Sequence, residues 1–74
     1  MSWDYRVVKR KVQVFGNVTD TYAIHECYYA DGIERSISVD PVNVDWCESL
    51  EELEDTLKLM QKASDKPLLD YEDF

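Results

Sequence analysis

Only one stretch of this chain carries the spacing of an amphipathic helix, and everything upstream alternates instead. Between Ser49 and Lys66, Leu50, Leu53, Leu57 and Met60 recur at intervals of three and four, and Ser49-Leu50-Glu51-Glu52 reads as a capping box. A single such helix cannot bury its apolar stripe alone, so it needs a sheet to lie on. The first strand is expected over about Asp4 to Val14, with Val8, Val12 and Val14 on one face and Tyr5, Val7 and Phe15 on the other. Gly16-Asn17 and Asp20 supply turn chemistry. A second strand is expected from about Thr21 to Tyr29, with Tyr22, Ile24, Glu26 and Tyr28 opposite Ala23, His25, Cys27 and Tyr29.

Asp31-Gly32 is the clearest hairpin signal, and Ile33 to Val39 follows as a half-buried strand with Ile33, Ile37 and Val39 inward. Asp40-Pro41 ends it. Val42 to Cys47 reads as a short edge strand or a loop packed by Trp46. Lys66-Pro67 stops the helix, leaving Leu68 to Phe74 as an extended tail whose apolar groups pack on the domain, its dimer mate or another protein. The prediction is a single α+β domain over residues 1–74: an antiparallel three- to four-stranded sheet packed against one C-terminal α-helix and followed by an extended tail.

A domain of 74 residues buries only roughly 60–65% of the surface its unfolded chain exposes. Domains this small gain stability from disulfides, metals or a second copy, and a homodimer through the sheet face or tail is expected. The hydrophobic content of 45% is too high for a disordered chain. No apolar run has the length of a signal peptide or a membrane span, so a cytoplasmic location without membrane contact is expected. Cys27 and Cys47 are then expected as two reduced, mostly buried thiols.

The net charge of −8 is concentrated in the second half: residues 1–40 carry five Lys or Arg against six Asp or Glu, and residues 41–74 carry three against ten. Glu51 and Glu52 suit the start of a helix and Lys58, Lys62 and Lys66 its end. The remaining carboxylates repel a phosphate backbone, which excludes nucleic acid as the expected partner, and fit a solvated face or a docking face for a basic protein. Lys9-Arg10-Lys11 opposes the trend, but strand alternation sends Arg10 to the other face from its neighbours, and such charges protect an edge strand.

No catalytic, cofactor-binding or metal-binding residue is assigned. His25, Cys27 and Tyr29 share one strand face and are the alternative centre, for a small ligand or a metal-dependent reaction. Asp45 and Cys47 could join His25 and Cys27 in a zinc-like set, although no Cys-x-x-Cys or His-x-x-x-His spacing supports it. Tyr22, Tyr28 and Tyr29 could stack bases, but such platforms lie in positive grooves.

Four segments resemble, in order, those of a group of small uncharacterised bacterial proteins: Trp3-Asp4-Tyr5-Arg6-Val7, Tyr22 to Tyr29, Glu48-Ser49-Leu50-Glu51-Glu52-Leu53, and Lys66-Pro67-Leu68-Leu69-Asp70-Tyr71. The resemblance implies a stand-alone bacterial domain and brings no activity. A weaker likeness, carried by Glu48 to Leu53, is to the antitoxin half of HicAB-type toxin–antitoxin pairs, although the C-terminal DNA-binding segment of that family is not expected here. It implies an acidic module that masks a basic partner. A non-catalytic protein-binding module is therefore the expected function.

Overall fold

The computed structural model describes residues 2–44 and 47–74. Strands β1 (Ser2–Val14) and β2 (Asn17–Ala30) form one long antiparallel hairpin, and β3 (Ile33–Ile37) pairs with the far end of β2. Helix α1 (Leu50–Ala63) packs on β1, and a two-residue strand β4 (Leu69–Asp70) leads into a single 3-10 turn at Tyr71–Asp73. The sheet order is β3-β2-β1-β4.

The sheet is mixed, which corrects the antiparallel expectation. Val8 pairs with Leu69 and Lys9 with Asp70 in parallel. The physical reason is the helix itself, whose crossover lets the chain re-enter the sheet in the direction of β1. The alternation of Leu68 to Phe74 was too short to reveal this pairing.

Both hairpins close through two residues of positive φ, the type I′ geometry whose twist matches that of the strands. Asp31-Gly32 is one, as expected. The other is Phe15-Gly16 (φ 48° and 82°), not Gly16-Asn17, so β2 starts four residues earlier than Thr21. Asp20 lies within the ladder opposite Lys11, where the opposite charges offset its poor strand propensity. Phe15 is unusual at a left-handed position, where an L-residue with a bulky side chain is disfavoured by roughly 1–2 kcal/mol and Asn is well tolerated. Phe15→Asn is therefore expected to stabilise the chain by about 1 kcal/mol, read as a higher urea midpoint in dilute solution.

Strand β3 stops at Ile37, short of Val39, and its residues Ile33 to Ser36 are exposed. The Ser38 N–H still donates to the Glu26 carbonyl (2.9 Å), the chain loops over Pro41, and the Val42 N–H then donates to the Ile24 carbonyl (2.8 Å). Pro41 has no N–H to offer, so the ladder skips it. Val42 to Val44 is thus loop touching the sheet edge, while the packing role expected of Trp46 lies outside the described residues.

Helix α1 begins as expected: the Glu52 N–H donates to Ser49 Oγ (3.0 Å), and Glu52 Oε2 accepts from the Glu48 N–H (3.2 Å). Its inward face is rotated from the expected stripe. Leu53, Thr56, Met60 and Ala63 are the covered positions, whereas Leu50 and Leu57 are 71% and 47% exposed. Leu59, Lys62 and Lys66 line a cleft of about 300 Å³ with Trp3, Asp4 and Tyr5 at the start of β1. The tail turns round the edge of β1 and covers the even-numbered face, where Arg10 lies 4.0 Å over the Tyr71 ring.

Among the described residues only Val8, Cys27 and Ala63 are fully buried apolar side chains. The radius of gyration, 13.7 Å, exceeds the roughly 11 Å of a compact domain of this length. The excess comes from the β1–β2 hairpin, which runs on past β4 and β3 as a two-stranded arm.

Candidate functional site

The even-numbered face of β1 carries Asp4, Arg6, Val8 and Arg10, and the register sets them beside Cys27, His25, Ala23 and Thr21 of β2. Antiparallel pairing therefore assembles a polar row in the layer where a small domain has its core. His25, Cys27 and Tyr29 do share this face, as strand alternation requires. Around them the structure adds four groups that the sequence did not connect with this row: Asp4, Arg6, Lys66 and Tyr71.

Arg6 is 6% exposed and is the organiser. One guanidinium nitrogen donates to the Tyr29 hydroxyl (2.7 Å) and the other to the Pro67 carbonyl (2.7 Å). The Tyr29 hydroxyl donates in turn to Asp4 Oδ1 (2.8 Å), and Lys66 Nζ donates to Asp4 Oδ2 (2.6 Å). Sheet, helix terminus and tail are thus joined by one connected path of charge-assisted hydrogen bonds. Arg6 Nε is the one buried side-chain nitrogen or oxygen without a partner among the described residues.

His25 is 1% exposed, and its Nδ1–H donates to the Ser38 carbonyl (2.9 Å). That bond places the ring proton on Nδ1 and holds the loop after β3 against the sheet. Tyr71 lies tilted beside the imidazole, with 6.0 Å between ring centroids. Arg10 also reaches the Val39 carbonyl (3.3 Å), so tail and loop close over the histidine from both sides. Lys9, on the opposite face as alternation predicts, pairs with Asp70 at 3.8 Å.

The electrostatics oppose nucleophilic chemistry at this row. Burial pushes the Cys27 thiol above its ordinary range, and the Tyr29 hydroxyl and Arg6 pull it back only in part. A thiol held protonated is a poor nucleophile. Burial also pushes Tyr29 up to about 12, Arg6 drawing it down and its bond to Asp4 raising it. Since the unfolded tyrosine loses its proton near pH 10 and the folded one near 12, the native state binds more protons in that window and stability falls as pH rises through it. The urea midpoint is expected to drop from about pH 10 to 12, and Tyr29→Phe should flatten that part of the profile.

Among the described residues no group of three His, Cys, Asp or Glu side chains is placed to hold a metal ion. Cys27 is buried and Cys47 half-buried, while Asp45 of the zinc-like set lies outside the described residues. The cleft between Trp3, Tyr5 and Leu59 is at the small end for ligand sites, and of the two lysines at its rim Lys66 is already held by Asp4. No helix is long and apolar enough to cross a membrane. Comparison with protein-family models, curated proteins and solved structures finds no match.

The parity of the strand was the signal that could have found Arg6. Asp4, Arg6 and Arg10 have the same parity as Val8, so alternation alone sets them on the valine face.

Proposed function

We propose that this chain is a non-catalytic accessory module that works by binding protein, as a homodimer. The observation that carries the reading is the surface left open. The chain exposes 5724 Å², whereas a compact monomer of 8.7 kDa exposes about 4,700 Å². The excess, about 1,000 Å², matches the roughly 800 Å² that each partner buries in a standard interface. The groups with chemical potential, by contrast, are used inside the fold: Arg6, Tyr29, Asp4 and Lys66 on one another and His25 on the loop after β3.

An acidic surface of this kind also suits a basic protein partner, with the negative half of the chain as the docking face. Sedimentation velocity over a concentration series tests the homodimer. A reversible monomer–dimer equilibrium is expected, and a chain that stays monomeric at every concentration contradicts the reading.

A further inference from the structure

We infer that the cleft between the start of β1 and the end of α1 binds a small aromatic carboxylate, a flat body of one or two rings carrying one acid group. The site goes beyond the protein-binding reading and does not depend on the homodimer. Trp3 and Tyr5 enter it from β1, Leu59 and Lys62 from the C-terminal part of α1, and Lys66 from the chain just past the helix. Trp3 and Leu59 are each 51% exposed. The Trp3 and Tyr5 rings meet edge to face, with 5.2 Å between centroids and 86° between planes. A pair of that geometry leaves ring face open for a third ring to stack on, and Leu59 adds aliphatic wall to the same cleft. The volume, about 300 Å³, is at the lower limit of ligand sites and suits one or two rings rather than a large cofactor.

The acid group follows from the polar atoms that the fold leaves over in the cleft. The Trp3 indole N–H and the Lys62 ammonium can only donate, and neither makes a hydrogen bond or ion pair among the described residues. The Tyr5 hydroxyl likewise has no hydrogen-bond partner among them. The one carboxylate of the lining, Asp4, is engaged on both oxygens: Oδ1 accepts from Tyr29 (2.8 Å) and Oδ2 from Lys66 (2.6 Å). What remains is a set of donors with one uncommitted positive charge. The lining as a whole carries Lys62 and Lys66 against Asp4, a net of +1 in a chain of net −8. A negatively charged acceptor complements that set, whereas an ammonium ligand would meet donors and an acceptor already in use. The rings thus supply the apolar contact and Lys62 sets the orientation, the division of labour of small-molecule sites. An unbranched fatty acid brings the same carboxylate but no ring to stack.

The test is an NMR titration of the full, isotope-labelled chain with naphthoate, using naphthamide, naphthylmethylammonium and octanoate as comparators. Naphthoate is expected to bind one to one with a dissociation constant on the order of 0.1–1 mM, and to move the Trp3 indole N–H resonance together with the amides around Tyr5 and Lys62. The amide, equal in shape but uncharged, should bind about fivefold more weakly. Lys62→Met keeps the aliphatic stem at an exposed position, so its urea midpoint should match that of the wild type. In this variant the acid should fall to the affinity of the amide, which itself should not change. Trp3→Ala should weaken acid and amide alike, by about tenfold. Three results each overturn the site: no saturation with naphthoate, binding of the ammonium or octanoate as tight as that of naphthoate, or a preference for the acid that survives Lys62→Met. None of them bears on the dimer, which sedimentation reads separately.

Discussion

Replacing Arg6 by alanine is expected to cost the fold about 3–5 kcal/mol, since two hydrogen bonds from a buried charged donor are lost at roughly 1.5–3 kcal/mol each. The Tyr29 hydroxyl and the Pro67 carbonyl lose their donor together, and the tail loses one of the two side-chain ties, with Lys66–Asp4, that join its start to β1. A chain of 74 residues has a total stability of only roughly 4–11 kcal/mol, so Arg6→Ala should be largely unfolded at moderate urea concentrations. Arg6→Lys should not restore it, because one ammonium cannot donate from two fixed, divergent nitrogens as the guanidinium does. Arg6→Met, which refills the volume without importing a charge, should recover part of the loss. Equilibrium urea unfolding of the three variants checks the ranking.

Removal of Leu68 to Phe74 is the second large effect. The deletion strips β4 from the edge of β1 and takes away Tyr71, which lies against both Arg10 and His25. Leu69 and Tyr71 are half-buried, and at 1.5–3 kcal/mol for full burial of a large apolar side chain the packing lost is about 3 kcal/mol in all. Two rows of backbone ladder go with it. The shortened chain should show a lower and broader urea transition, and His25, buried in the intact chain, should become open to solvent. A truncated chain with an unchanged midpoint would mean that the tail does not hold the domain together.

These effects depend on features that were unequally legible in the sequence. The helix and its Ser49 cap, the Asp31-Gly32 hairpin and the shared face of His25, Cys27 and Tyr29 were legible because each is local: a cap, a turn and an alternation need only neighbouring residues. The parallel pairing of β4 was not, since two residues carry no periodicity and their direction is set by the helix that precedes them. The rotation of α1 was not legible either. The spacing of Leu50, Leu53, Leu57 and Met60 is helical, but Thr56 and Ala63 take the inward places because a small side chain permits close approach to the sheet. The turn at Phe15-Gly16 was hidden by the rarity of Phe at positive φ.

At the candidate site, strand parity held the answer for Asp4, Arg6 and Arg10, while Lys66 and Tyr71 could be placed only by the tertiary fold. The distance in sequence explains the difference. Arg6 meets Tyr29 across one hairpin register, but Lys66 reaches Asp4 across 62 positions of chain. Polar residues on an inner strand face are therefore better read as a network to be closed than as surface, and here the closing partners come from the far end of the chain.

The central claim is that the row around Cys27 is sealed structure and that binding belongs to the exposed surfaces. Its most direct test is alkylation of the native chain, with the rate at each cysteine followed by peptide mass spectrometry. Cys27, fully buried with its thiol held protonated, should be modified only as fast as the chain unfolds, and denaturant should release it. Modification of Cys27 in the folded chain at the rate of an exposed thiol would mean that the row is open to reagents and to substrates, and would contradict the account.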